Sequence, residues 1–248
     1  ERALPPPEGA VSGKLSFSDE FSDPSRARLH FKSGGSSGEP KLSTYDYDQY
    51  REHMRLGADG LVSAGFDPVS DRAMNLFFSG GLYGGFLSVF STLEVLEAIQ
   101  FPMTAHSDLE MVAETIARNR VTVLLGMPSY LVRLFEEQSE ILGSYRGVRK
   151  IFYGGEHFSP AQTRFLCEKF GIDSIRSLAY GSVDIGPIGY QCRECGDGVH
   201  HLHHDLHVLE ILKLGEDRPT DSRDEIGRLV FSPRSPTSNK PALPGHPP

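Results

Sequence analysis

The chain reads as an α/β protein built on a mainly parallel sheet with helices on both faces. From Ala98 onward, short apolar runs alternate with longer segments of helical periodicity, which is the pattern of repeated βαβ units. Apolar runs end in glycine turns at Gly80-Gly81, Gly126 and Gly154-Gly155, as strands do where they hand over to helices. The 248 residues are 38% hydrophobic and 23% charged, a globular composition with enough apolar material for a sizeable core.

Residues 1–27, rich in Pro, Ser, Asp and Gly, read as a lead-in segment that contributes little core. Arg28-Leu29-His30-Phe31 alternates like a strand, and Leu42-Ser43-Thr44-Tyr45 reads as the returning strand of a hairpin. Tyr47 to Val62 carries Tyr50, Met54, Leu56 and Leu61 at helical spacing, with Asp46 or Asp48 as cap and Gly65 as stop. Met74 to Phe78 is a buried strand. Leu82 to Phe90 is an apolar, glycine-rich helix; its glycines fit close packing in a core or close approach of a ligand.

Ile99 to Met103 is the next strand. Ser107-Asp108-Leu109-Glu110 is a capping box opening a helix whose apolar face is Leu109, Val112, Ala113, Ile116 and Ala117. Val121 to Leu125 is a buried strand, followed by a helix from Tyr130 to Gln138 with Pro128 in its first turn. Lys150 to Tyr153, a helix from Ser159-Pro160 to Phe170, and a strand from Ser174 to Ala179 complete the alternation. Such units place ligands at the carboxyl ends of the strands. Ser232 to Pro248 is a Pro/Ser-rich tail.

The formal net charge of −8 argues against nucleic acid as a partner. No apolar run is long enough for a membrane span, and Glu1 to Pro7 has no signal-peptide core, so a cytoplasmic location is expected. Three cysteines fit a reducing compartment and a metal site better than a disulfide framework.

Two stretches carry chemistry. Ser33-Gly34-Gly35-Ser36-Ser37-Gly38-Glu39-Pro40-Lys41 packs glycines, hydroxyls and a lysine into one loop. Glycines let backbone N–H groups turn towards an anion, hydroxyls donate to its oxygens, and Lys41 adds charge. It is not a Walker A loop, because Glu39 and Pro40 separate Gly38 from Lys41 and Leu42 follows the lysine. The competing reading is a Gly/Ser linker. The second stretch is Cys192-Arg193-Glu194-Cys195 followed by His200 to His204. A C-x-x-C turn presents two thiolates to one zinc ion, and in an extended strand His201 and His203 point to one side, so these four residues form a closed structural site on a small hairpin. A surface hairpin with free thiols is the alternative.

The nonapeptide Ser33 to Lys41 resembles the phosphate-binding loop of the adenylate-forming superfamily, which includes acyl- and aryl-CoA ligases and acyl-protein synthetases. Gly154-Gly155-Glu156 resembles the element that lines the adenine pocket there. Ala179-Tyr180-Gly181-Ser182-Val183-Asp184 resembles the aromatic-Gly-x-Thr-Glu motif, with Val183 in place of threonine and Asp184 in place of glutamate. Met singly, Gly154-Gly155 reads as a simple turn and Tyr180 as a core aromatic. Val199, His201, Asp205 and Glu210 follow a Gly-x-His-x-x-x-Asp-x-x-x-x-Glu pattern of the phenylacetate-CoA ligase and acyl-protein synthetase branch, apart from the valine. Asp224 to Phe231 resembles a Glu-Ile/Leu-Gly-Arg-Leu-Val strand of the same branch.

The resemblance implies an adenylating ligase with a core at residues 28–231, lacking the C-terminal lid domain. Ser36, Lys41 and Asp184 would be catalytic, and Asp184 would hold Mg²⁺. ATP would contact Ser33, Gly34, Gly35, Ser36, Ser37, Gly38, Lys41, Gly154, Gly155, Glu156, Ala179, Tyr180, Gly181, Ser182 and Asp184. The substrate would be a small carboxylic acid, aromatic or fatty given Phe77, Phe78, Tyr83, Phe86 and Tyr153, and the acceptor a CoA or carrier-protein thiol. The expected Arg-x-x-Thr-Gly-Asp segment is not found, which favours a second reading: a nucleotide-binding or scaffolding module with a structural zinc.

Overall fold

The computed structural model describes residues 28–33, 42–196, 198–222 and 225–233. The lead-in at residues 1–27, the loop from Gly34 to Lys41 and the tail beyond Pro233 lie outside the described residues. The described residues fall into two compact units that divide between Leu202 and His203.

The first unit opens with β1 (Leu29–Lys32) and β2 (Leu42–Tyr45), the expected hairpin, paired antiparallel from Leu29↔Tyr45 to Lys32↔Leu42. They form a sheet of their own, so the glycine-rich stretch leaves from a hairpin and not from the parallel sheet. In α1 (Tyr47–Ser63) the cap is Asp46: it accepts from the Gln49 amide while the Gln49 side chain accepts from its own. Then comes β3 (Arg72–Leu76). The next helix, α2 (Gly85–Val95), begins three residues later than the periodicity predicts. Gly80, Gly81 and Leu82 have φ of 85°, 59° and 64°, and three left-handed residues in a row cannot open a right-handed helix.

After β4 (Ile99–Pro102), α3 (Leu109–Arg118) is capped by Asp108, which accepts from the Met111 amide at 3.1 Å, and not by Ser107. The Ser107 hydroxyl is engaged elsewhere, donating to the Met103 carbonyl at 2.8 Å. β5 (Val123–Gly126) starts two residues into the apolar run, and just ahead of it the Thr122 amide donates to the Arg72 carbonyl at 3.0 Å while the Thr122 carbonyl accepts from the Arg149 amide at 2.8 Å. α4 (Pro128–Glu137) follows, then the unforeseen α5 (Ser139–Tyr145), β6 (Lys150–Tyr153), α6 (Pro160–Phe170) with a Ser159/Gln162 capping box, and β7 (Ser174–Ser177).

The parallel sheet runs in the order β4-β3-β5-β6-β7. Alternation along its strands makes two cores. Met74, Leu76, Leu124 and Ile151 face one way and pack with residues of α3 to α6, while Ala73, Val123, Leu125 and Phe152 face the other way with Leu61 of α1 and Val89 and Leu93 of α2. Helices therefore cover both faces, as the βαβ pattern requires. At the strand starts, buried Asp71 pairs with Lys150 at 2.7 Å, and the ammonium also donates to the Gly65 carbonyl at 2.9 Å.

The chain then leaves the parallel sheet for a smaller antiparallel one: β8 (Tyr180–Ser182), β9 (Gly186–Tyr190) and β10 (His201–Leu202) in the order β10-β9-β8. Packing of β9 on α1 is close, since a Cβ on Gly60 would lie 2.8 Å from the Cβ of Tyr190. In the second unit, β11 (His207–Lys213) and β12 (Gly227–Pro233) pair antiparallel from His207↔Pro233 to Lys213↔Gly227. Among the described residues no helix is long and apolar enough to cross a membrane.

Candidate functional site

Of the glycine-rich loop, Ser33 is described and Gly34, Gly35, Ser36, Ser37, Gly38 and Lys41 are not. Its exit strand is held against the second motif. Ser43 donates from its hydroxyl to Oδ1 of Asp184, and the Tyr45 hydroxyl donates to the carbonyl oxygen of Val183. Tyr45 is buried against Phe31 and His53, and that burial, with the charge of Asp184 beside it, pushes its phenol pKa well up, so it stays a donor. The valine at position 183 leaves the hydrogen bonding there to its backbone. Two residues beyond Lys41, the chain therefore touches the carboxylate that the resemblance assigns to Mg²⁺.

Ala179, Tyr180, Gly181 and Ser182 precede Val183 along the chain. The strand read as ending at Ala179 stops at Ser177, and Tyr180 starts β8, paired with Gly189. The departure has a side-chain cause: the buried Gln191 carbonyl oxygen accepts from the Ser177 amide at 2.7 Å. Gly181 is required by the pairing itself, since a Cβ there would lie 2.5 Å from the carbonyl oxygen of Gly186. Tyr180 is exposed, so it is not a core aromatic; its ring lies 5.6 Å from that of His200 at 43°. His200 titrates low, first because it is partly buried and then because His157 lies near, while the Gly198 carbonyl opposes the shift.

Gly154 and Gly155 follow β6, and Gly155 has φ +80°, the left-handed turn that favours glycine. Rings stand against this turn: a Cβ on Gly154 would meet Phe77 at 3.5 Å, and one on Gly155 would lie 4.0 Å from the Tyr83 hydroxyl. Glu156 is occupied at the start of α4, where its carboxylate accepts from the Ser129 amide and hydroxyl, each at 2.9 Å. Met127 provides no side-chain cap there, so the acid of one turn caps the helix of another.

Cys192, Cys195 and His201 come together, with one donor atom from each lying within 4.8 Å of the others. The histidine hydrogen bond, then the Glu194 amide and the Cys195 side chain, hold the Cys192 thiol down to about 7. β10 ends at Leu202, so the strand alternation used to place His203 beside His201 stops short of it; His203 is buried in the second unit. Arg176 and Gln191, which hold the cysteine turn, carried no motif. The signal available was a polar residue in the last sheet strand and another next to Cys192.

The fold under this site is shared with solved enzymes of low sequence identity to this chain. In particular, the chain is similar to 2-hydroxyisobutyryl-CoA ligase in complex with 2-HIB-AMP and CoA, with TM-score 0.71 and 17% identity over 84% of this chain and 44% of that chain. The luciferase-like enzyme of the Zophobas morio mealworm gives TM-score 0.63 and 16% identity over 90% of this chain and 52% of that one. ATP-bound MatB from Rhodopseudomonas palustris gives 0.60 and 19%, over 82% and 39%. The chain thus spans about half the length of these enzymes or less. No protein-family model matches the chain, and no curated protein does.

Proposed function

We propose that residues 28–202 form the nucleotide-binding part of an ATP-dependent carboxylate-activating enzyme of the phenylacetate-CoA ligase and acyl-protein synthetase kind. The reading rests above all on the hydrogen bond from Ser43 to Asp184, which ties the exit of the Ser33–Lys41 loop to the Tyr180–Asp184 motif. In this reading the loop amides, Ser36 and Lys41 receive the phosphates, and Tyr180 lies against the base beside Gly154-Gly155. The carboxylate oxygen of the acid attacks the α-phosphorus, pyrophosphate leaves, and an acyl adenylate remains. A thiol of CoA or a carrier protein then attacks the acyl carbon and AMP departs.

The residues fit Mg²⁺. Among the described residues Asp184 accepts through Oδ1 from Ser43, and its second oxygen can serve the ion. When bound, Mg²⁺ neutralises charge on the phosphates. The protein's own share is positioning: β2 holds Val183 and Asp184 through Tyr45 and Ser43, and Phe77 and Tyr83 beside Gly154-Gly155 favour an aromatic or fatty acid.

A panel of carboxylic acids scored for pyrophosphate release with ATP and Mg²⁺ tests this. Release with an aromatic or fatty acid is expected, weakened in Lys41→Ala and Ser36→Ala. Asp184→Asn should lower the Mg²⁺-dependent rate by at least the roughly 10–100-fold that loss of a metal-supporting group costs. ATP binding without release from any acid would leave the nucleotide-binding or scaffolding reading. No ATP binding would remove both.

A further inference from the structure

The C-x-x-C turn is built with its sulfurs on one side and its carbonyls gripped on the other. The two sulfurs lie 3.5 Å apart. A disulfide needs about 2.05 Å, whereas two thiolates on one tetrahedral zinc, with bonds of about 2.3 Å, sit roughly 3.8 Å apart. The Glu194 amide donates to Cys192 Sγ and the Cys192 amide to Cys195 Sγ, each at 3.4 Å, which is the support an anionic sulfur takes from backbone. On the far side Arg176 of β7 donates to the carbonyls of Cys192 at 3.2 Å, Arg193 at 2.6 Å and Cys195 at 3.3 Å. Gln191 adds donations to the Gly196 and Val199 carbonyls at 3.3 and 3.4 Å.

The third donor, His201, stands on a short strand, with its ring 5.2 Å from that of Tyr190. β10 has two register pairs, His201↔Tyr190 and Leu202↔Gly189, and both of its residues are exposed. A two-residue exposed strand is held weakly by its ladder alone. A bond from His201 to an ion seated on the cysteine turn would fasten it.

We propose that Cys192, Cys195 and His201 hold a structural zinc ion, and that Arg176 and Gln191 anchor this knuckle to β7, so that the ion closes the sheet β8–β9–β10. Binding releases the thiol protons and uses the lone pair of a neutral imidazole. Three chain donors fill three of the four tetrahedral places. The site goes beyond the nucleotide reading and stands without it.

The purified chain, gel-filtered under reducing conditions, should carry about one zinc ion per molecule by elemental mass spectrometry. Cobalt added to the zinc-stripped parent should give thiolate-to-cobalt charge-transfer absorption. Cys192→Ser and His201→Ala should each lower zinc affinity, and chelation should raise hydrogen exchange at Gly186–Tyr190 and His201–Leu202 while leaving β3, β5 and β6 protected. A parent chain that retains no zinc and gives no cobalt band overturns the proposal, as does zinc content unchanged in both variants. The cobalt titration uses the parent protein, so a variant that fails to fold does not disable the test. None of these readouts involves ATP, so the outcome is separate from that of the nucleotide reading.

Discussion

The parallel sheet and the small antiparallel sheet beside it are fixed by different forces. Val123, Leu124, Leu125, Ile151 and Phe152 are fully buried, and each strand is held by apolar side chains on both faces. In the small sheet Tyr180, Gly181, Ser182, His201 and Leu202 are exposed. Apart from Ile188 and the packing of Tyr190 on α1, that sheet is held by polar and specific contacts: the Gln191 side chain on Ser177, the Tyr45 hydroxyl on Val183, the Arg176 fan on the cysteine turn. Burial is non-directional and survives small displacements, while hydrogen bonds set position within a few tenths of an ångström. The candidate site residues outside the core turns sit on the second kind of scaffold.

Phe152→Ala should give the largest effect. It removes a buried ring from the middle of the parallel sheet at a cost of about 3–5 kcal/mol, seen as one cooperative loss of structure in denaturant. A loss confined to the small sheet would break the contrast. Gln191→Ala should cost less, about 1–3 kcal/mol, because it strands the buried Ser177 amide. Its signature is faster hydrogen exchange in β8–β10 with the parallel strands still protected; uniform weakening would show that the two regions are one cooperative body. Smallest is Arg149→Ala. Its fork with Asp173 is well formed at 2.7 and 2.8 Å, but both side chains are more than half exposed, so the change should stay below about 1 kcal/mol.

The same contrast explains what could be read from the residues alone. Val123 to Leu125 and Lys150 to Tyr153 announce themselves by apolar runs, and Ser159 with Gln162 by a capping box. α5 was hidden because Gln138 both ends α4 and starts α5, Gly143 interrupts it, and Leu142 is its buried residue. The cap of α3 was misplaced by one residue because Ser107 and Asp108 are both good caps, and the choice is made by the distant Met103 carbonyl. β9 was missed since Gly186-Pro187-Ile188-Gly189-Tyr190 has neither alternation nor an apolar run. In the site, the motif residues were legible but their supports were not. That Tyr45 holds Val183, or that Glu156 caps α4, is decided by tertiary placement to which local pattern is blind.

The two bonds from β2 to Val183 and Asp184 span 138 and 141 positions of chain. A ribosome adding about 5–20 residues per second needs roughly 7–28 s to cover that distance. Throughout that interval the hairpin that carries Ser33 to Lys41 has been made while its partner residues do not yet exist. Closing so long a separation costs only slowly more than closing a shorter one, about 0.6 kcal/mol for each doubling of length, so what sets the delay is synthesis. A chain halted before residue 183 would contain the whole parallel sheet, with β2 held by β1 and by the rings around Tyr45 but without its two bonds to Val183 and Asp184.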